Sequence, residues 1–523
     1  MKFVNLRSVR KKSFWGIMLF ALAFQACEDH RLPPAAEELP DQVFYALTDN
    51  NTIYELNVRN TTNVIRTLTV SEGLVDNDKL VGIDFRPATG QLFAVGKNSR
   101  LYNINLNNAS KPGLATPIGA TPFGPAISAT AVGFDFNPTV DRIRFVTNIG
   151  ENLRLNPENG ALAAKDGDLN GVPNPMVGAV AYTNSFSGTT TTRLYDIDPA
   201  ANKLYFQSNP NGGLLEEVGS LGMDISDVGG FDIAPWKTAA GKEYAIASVL
   251  FENKWELDFV DLGTGRLQKL GDLPGKIIGI AIPTPVAYAV STDNKLLIFN
   301  PLSSNVSTIE RTIAGLPSGV SIEGIDFRPV DGTIYALGSD SKLYTINTLT
   351  GAATFKSTLS VALSGGENAS YGVDFNPFAD RLRVVSNTGQ NLRIDVTTGG
   401  TTVDGALNIA TVSQGVNGAA YTNSNVGLTA GTQTVLFDID SQTNKLYRQD
   451  PPNAGGLVSI GNLGVVIDKA NGFDIGGISG TGHALLTVGG STGLYMINIS
   501  TGAATKTSNF PTGVKGFALG FNL

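Results

Sequence analysis

The chain contains a second copy of itself. Gly133–Gly160 reads GFDFNPTVDRIRFVTNIGENLRLNPENG, and Gly372–Gly400 reads GVDFNPFADRLRVVSNTGQNLRIDVTTGG. Around each copy the same ingredients recur in the same order. Gly82-Ile-Asp-Phe-Arg-Pro returns from Gly324, Tyr182-Thr-Asn-Ser from Tyr421, and Gly230-Phe-Asp-Ile from Gly472. Within each half the units follow one another at roughly 45 to 50 residues, a spacing typical of propeller blades. A chain built this way must fold from one small unit used many times.

The unit reads as strands. Segments of five to seven residues rich in Val, Ile, Phe, Tyr and Thr are separated by Asn-Pro, Asp-Pro, Thr-Gly and Asp-Gly, residues that set turns. No segment keeps a helical period for three turns. In each half the first unit, opening at Val43 or Ala287, lacks its leading strand. The last unit is followed by a spare one, Lys276–Ile282 or Gly516–Phe521. A ring accounts for both facts, because the spare strand fills the vacancy and no sheet edge is left open. The expected fold is therefore all-β, a β-propeller in two five-blade halves. Two closures fit: two tandem five-bladed propellers, or one ten-bladed ring. The short connector Pro283-Thr284-Pro285 favours the single ring, and the separate spare strands favour two.

The N-terminus reads as an address. Lys2, Arg7, Arg10, Lys11 and Lys12 precede the apolar run Phe14–Phe24, which is too short to span a bilayer comfortably. It ends at Phe24-Gln-Ala-Cys27, which resembles a bacterial lipobox, and Cys27 is the only cysteine in the chain. Residues 1–26 are expected to be a lipoprotein signal peptide, Cys27 the acylated residue, and 27–42 a Pro-rich tether. The repeat domains are then 43–283 and 284–523. Removing the leader leaves 33 basic against 46 acidic residues and moves the net charge from −8 to −13. That balance argues against nucleic acid, which draws clustered Lys and Arg. Membrane contact would come from the lipid anchor. The acidic pair Glu28-Asp29 is similar to surface-export signals of Bacteroidetes lipoproteins, so the expected location is the cell envelope, at the outer membrane and facing the cell surface.

The GIDFRP, DFNP, DRxRxxxNxGxNLR and AYTNS strings resemble the uncharacterised bacterial family named domain of unknown function 4394, over Val43–Ile282 and again over Val286–Phe521. The resemblance implies a secreted or surface protein with a propeller-like fold. It implies no activity and no catalytic residues.

Few residues offer chemistry. His30 lies in the tether, which leaves His483 alone in the repeats. A Ser-His-Asp triad or a multi-histidine zinc site is thereby disfavoured, and His483 itself reads as a surface or satisfied structural residue. Asp84, Asp135 and Asp232 hold the same place in three units, matched by Asp326, Asp374 and Asp474. Two readings stand side by side. The carboxylates ring a channel and bind a cation or share acid/base work, or they accept backbone N–H bonds at a turn and brace the unit.

Arg142, Arg144 and Arg154, with Asn148 and Asn152, form the densest polar cluster, repeated by Arg381, Arg383, Arg393, Asn387 and Asn391. Paired guanidiniums suit a carboxylate or phosphate ligand; the alternative is internal pairing with Asp135 or Asp141. Asp166, Asp168 and Asn170, followed by Gly171, open like a calcium loop but lack its closing Glu, so Ca2+ and an ordinary Asp-Gly turn are the two readings. No cofactor is otherwise expected. Trp236 and Trp255 could stack on a sugar, but neither has a counterpart in the second half, which makes packing the default for them. Function is expected to be non-enzymatic binding or scaffolding with an envelope protein or glycan partner. The rivals are a carboxylate-based carbohydrate-active enzyme and a structural matrix component.

Overall fold

A computed structural model describes residues 38–106, 111–366, 369–408, 415–424, 433–477, 479–521 and 523. The expected signal peptide, Cys27 and most of the tether lie outside them. The described chain is all-β, with ten four-stranded antiparallel sheets. Helix is limited to single 3-10 turns such as Pro210–Gly212 and Pro452–Ala454. No helix among the described residues is long and apolar enough to cross a membrane.

Eight sheets are each made of four strands consecutive in sequence. The other two are completed from far along the chain. Val43–Thr48, Thr52–Asn57 and Arg66–Thr69 are joined by Ile277–Ala281, with Tyr45 opposite Ala281. Ala287–Ser291, Lys295–Phe299 and Ile309–Thr312 are joined by Val514–Leu519, with Tyr288 opposite Ala518. The last strand of each half thus returns to that half's own first sheet. Neither pairs across the Pro283-Thr284-Pro285 connector.

In the first half the innermost strands are Ile277–Ala281, Leu80–Arg86, Val132–Asn137, Ala179–Tyr182 and Asp227–Lys237. Each packs against the next in that order, and the fifth packs against the first. The innermost strands are buried on both faces, as in Leu80–Arg86. The outermost are mostly exposed, as in Arg66–Thr69 and Leu457–Asn462. This gradient follows from position: an inner strand is covered by neighbours on both faces, while an outer strand meets water.

The apolar core lies between successive sheets. Leu47 and Ile53 of the first sheet meet Phe85 and Leu92 of the second. Phe93 and Leu101 meet Phe136 and Phe145 of the third. Ala181 and Ile197 of the fourth meet Phe231 and Ala247 of the fifth, and Ile246 and Leu257 of the fifth meet Phe44 and Leu56 of the first. Each such buried side chain contributes about 1.5–3 kcal/mol. The second half repeats the cycle, closing where Leu485 and Leu494 meet Ala289 and Phe299.

Glycine permits the close approach of inner strands. A Cβ on Gly82 would stand 2.9 Å from Cβ of Phe134 in the next sheet, and one on Gly230 would stand 2.4 Å from the backbone N of Ile280. The two halves also touch. Tyr288 donates its hydroxyl to the carbonyl of Thr89, and Asn105 Nδ2 donates to the carbonyl of Asp331 at 2.8 Å.

Candidate functional site

The repeated aspartates meet at the centre of each half. Asp84, Asp135 and Asp232 each bring one carboxylate oxygen within 4.8 Å of the others, and Asp326, Asp374 and Asp474 do the same in the second half. All six are buried. Their partners are main-chain amides of strands rather than of a turn. Asp84 accepts from Phe85 N and from Phe136 N of the next sheet, both at 2.7 Å. Asp135 accepts from Tyr182 N of the next sheet at 3.0 Å. Asp232 accepts from Ile233 N and, in the returning strand's wake, from Ile282 N, both at 2.6 Å.

Five inward-facing N–H groups thereby find acceptors, one from each sheet of the ring of inner strands. Ala181 and Ala281 stand where the other two sheets would carry an Asp. The second half repeats the scheme with Phe327, Phe375, Tyr421, Ile475 and Leu519 as donors. Five donors meet six oxygens. The sixth, Oδ2 of Asp374, is buried without a partner.

Such a ring cannot carry three full negative charges. Burial lifts the Asp84 and Asp135 carboxyls well above the ordinary carboxylate range, and the neighbouring aspartates push them further. Burial pushes Asp232 and Asp474 up to about 7. Above the first-half ring the space between the inner strands is about 10 Å³, room for one water at most. The carboxylates latch neighbouring sheets together.

The arginines form a second set of cross-sheet braces. Arg144 is buried and donates from Nη1 to Asn152 Oδ1 at 2.6 Å and to Asp166 Oδ2 at 2.7 Å, and from Nη2 to Asn211 Oδ1 of the fourth sheet at 3.0 Å. Arg154 grips Asp166 with Nε and Nη2 at 2.8 and 2.9 Å. Asn152 donates to the carbonyls of Gly167 and Pro210. The second half reproduces this with Arg383, Arg393, Asn391, Asp404 and Asn453.

The expected acidic partner is corrected by this geometry. Arg144 pairs with Asp166, while Asp135 serves amides and Asp141 takes Arg86 of the preceding sheet, with Arg86 Nε at 2.8 Å from Asp141 Oδ1. Arg142 gives Nη1 to the carbonyl of Asp141. Asn148 is apart from the cluster, at the far end of its strand, where its Nδ2 donates to Thr130 Oγ1. Asn387 likewise accepts from Ser370 N.

At the presumptive calcium loop, Asp166 has both oxygens on guanidiniums, while Asn170 donates its amide to the carbonyls of Asp168 and Gly212. His483 departs from the expectation of a surface or satisfied residue. It is buried, its Nδ1 has no partner, and burial lowers its pKa to about 4. Trp236 stacks on Tyr244 and donates to Gln42 at 2.6 Å.

Two features escape the sequence. Asp196 and Asp438, at the repeated Asp-Ile-Asp of the fourth and ninth sheets, are buried with both oxygens unpartnered. Burial keeps Asp438 up at about 8 and raises Asp196 well above its ordinary value. The repetition itself was the available signal. The second feature is a cavity of about 370 Å³ at the entrance to the first ring, lined by Lys79, Lys97, Lys276, Asp49, Asp227 and Trp255. Its residues come from strands and loops of separate units, so no contiguous string marks it. In the second half, Glu323 and Lys515 hold the places of Val81 and Ile278 and pair at 2.9 Å.

Comparison with known proteins adds the lineage. No curated protein matches this chain. Among solved structures, a protein of unknown function from Bacteroides thetaiotaomicron is similar at 13% identity and TM-score 0.31, over 81% of this chain and 97% of that one. PorZ, a surface component of the type-IX secretion system of Porphyromonas gingivalis, is similar at 12% identity and TM-score 0.26, over 90% of this chain and 58% of PorZ. Neither likeness is close enough to carry an argument. The family described as Domain of unknown function (DUF4394) matches residues 52–281 and again 295–518. With these two matches spanning most of the sequence, the chain belongs to the DUF4394 family and contains two tandem copies of its domain.

Proposed function

We propose that the protein is a lipid-anchored, non-enzymatic binding and scaffold module of the cell envelope, built as two tandem five-bladed propellers and facing the cell surface. One observation carries the absence of catalysis. The six central carboxylates that recur in both halves are buried and bonded to main-chain amides of their own and neighbouring strands. A glycosidase needs two carboxyl groups facing each other across a pocket, about 5 to 9.5 Å apart. The return of each half's last strand to its own first sheet supports two closed rings over one. The lipobox-like ending at Cys27 supports the anchor.

The cavity at the first ring's entrance favours a glycan as partner. It joins Trp255 to polar and charged groups, a combination suited to a sugar ring. Incubation with a glycan panel should give binding without turnover, weakened by Trp255→Ala. Turnover lost in Asp135→Asn with the fold intact would establish the enzyme instead. Mass spectrometry of the membrane fraction should find Cys27 acylated, and an unmodified Cys27 there would refute the anchor.

A further inference from the structure

A second cavity, of about 230 Å³, lies between the third and fourth sheets of the first half, apart from the entrance cavity. Arg142, Arg144 and Arg154 line it together with Tyr182, Asn209 and Asn211, and no carboxylate does. Asp166 behind the wall balances one of the three charges. Glu158 is turned elsewhere, to Arg311 at 3.1 Å and to Arg86. Arg142 is half-buried and makes one hydrogen bond through Nη1, to a carbonyl; among the described residues it has no acidic partner. Arg154 holds Asp166 with Nε and Nη2, which leaves Nη1 over.

The duplicate half supplies an internal control. Arg381, Arg383 and Arg393 repeat the three guanidiniums, and Arg381 again gives Nη1 to the carbonyl before it. There, however, Asp395 takes the place of Asn156, and its Oδ2 stands 3.4 Å from Arg381 Nη2. The turn is otherwise conserved in its bonding. Asn156 Oδ1 accepts from Glu158 N, and Asp395 Oδ1 accepts from Thr397 N, at 2.9 and 3.0 Å. Asp395 Oδ1 also accepts from Thr398 N at 3.3 Å. One residue therefore separates an arginine paired with a carboxylate from one that is not, with the shared cap of the turn kept.

We propose that the first-half cavity is an anion site that takes the oxyanion group of a small ligand, a phosphate or a carboxylate, on Arg142 and Arg154. Arg142 supplies Nε and Nη2, and Arg154 supplies Nη1. Planar guanidinium forks suit both groups, and partial burial strengthens the contact over one in open water. In the second half the carboxylate of Asp395 already pairs with Nη2 of Arg381, so the site exists once per chain. The proposal does not rest on the entrance cavity or on the absence of catalysis.

The test exchanges the two residues. Full-length protein in detergent at low salt is titrated calorimetrically with inorganic phosphate and, separately, with succinate. One site per chain is expected for at least one probe, and the stronger probe distinguishes phosphate from carboxylate. Asn156→Asp should weaken binding tenfold or more, and Asp395→Asn should add a second site. Since either residue caps the same turn, circular dichroism should report an unchanged fold in both variants. Absence of binding by both probes at millimolar concentration, or binding unaffected by Asn156→Asp, overturns the proposal.

Discussion

The aspartates of each ring differ in how many oxygens the ring uses, and that difference makes them separable by substitution. Asp84 and Asp232 serve two amides each, and Asp135 serves one. Asp84→Asn keeps one acceptor but turns an NH2 toward a buried N–H, so it should destabilise the protein by about 1–3 kcal/mol. Asp135→Asn keeps the acceptor it needs and removes a charge, so it should be neutral or stabilising. Urea denaturation of the two variants reads the contrast directly; equal losses would mean that the ring is not held by these amides. The same groups set a pH dependence. Their folded pKa values lie above the unfolded ones, so the native state binds more protons between the ordinary value of 3.8 and about 7, the value for Asp232. The rings' contribution to stability therefore falls as pH rises through that window, opposed only in part by the single buried His483, whose lowered pKa favours the native state as pH rises above about 4. The urea midpoint should be lower at about pH 8 than at about pH 5, and the gap should narrow in Asp135→Asn/Asp374→Asn.

At the scale of the strand, the Gly that precedes each Asp by two residues is as much a part of the latch as the carboxylate. Gly230 lets its strand approach the returning strand so closely that a Cβ would lie 2.4 Å from a backbone nitrogen, an atom that cannot step aside. Gly230→Ala should cost about 1–3 kcal/mol through overpacking. Gly275→Ala, where a Cβ would meet nothing within 4 Å, should be near neutral. Thermal unfolding of the pair checks it. This also explains what was legible beforehand. Runs of β-branched and aromatic residues between turn residues marked the strands because those are local properties, and the recurring Gly-x-Asp marked the ring because duplication printed it six times. The partners of the arginines were hidden, since Arg144–Asp166 joins a strand to a loop and Arg86–Asp141 joins two units. Proximity in sequence offered Asp135 or Asp141 to the arginine cluster, whereas the register of neighbouring sheets delivers Asp141 to Arg86. Cavities were hidden for the same reason, because their linings are assembled from several units.

For the whole molecule, the question is whether each half is a closed body. The returning strand Ile277–Ala281 contributes three things to the first half: a ladder partner for Val43–Thr48, the Ile282 amide for Asp232, and Ile277 and Ile280 to the core between the fifth and first sheets. Without it Val43–Thr48 is an exposed, largely apolar edge, the kind that pairs with other chains. If the halves are separate five-bladed rings, residues 38–283 contain everything their ring needs and lose contacts with the second half such as those around Tyr288, Asn105, Arg311 and Leu349. That fragment should be soluble, monomeric by size exclusion and cooperative in unfolding. Ending it at residue 275 should give aggregates, although just eight more residues are removed. In a single ten-bladed ring both fragments would expose open edges and fail alike, so the difference between them decides the closure. The contacts between halves would then be those of two finished bodies, able to diverge independently, as the unequal ring entrances and the exchange of Asn156 for Asp395 already suggest.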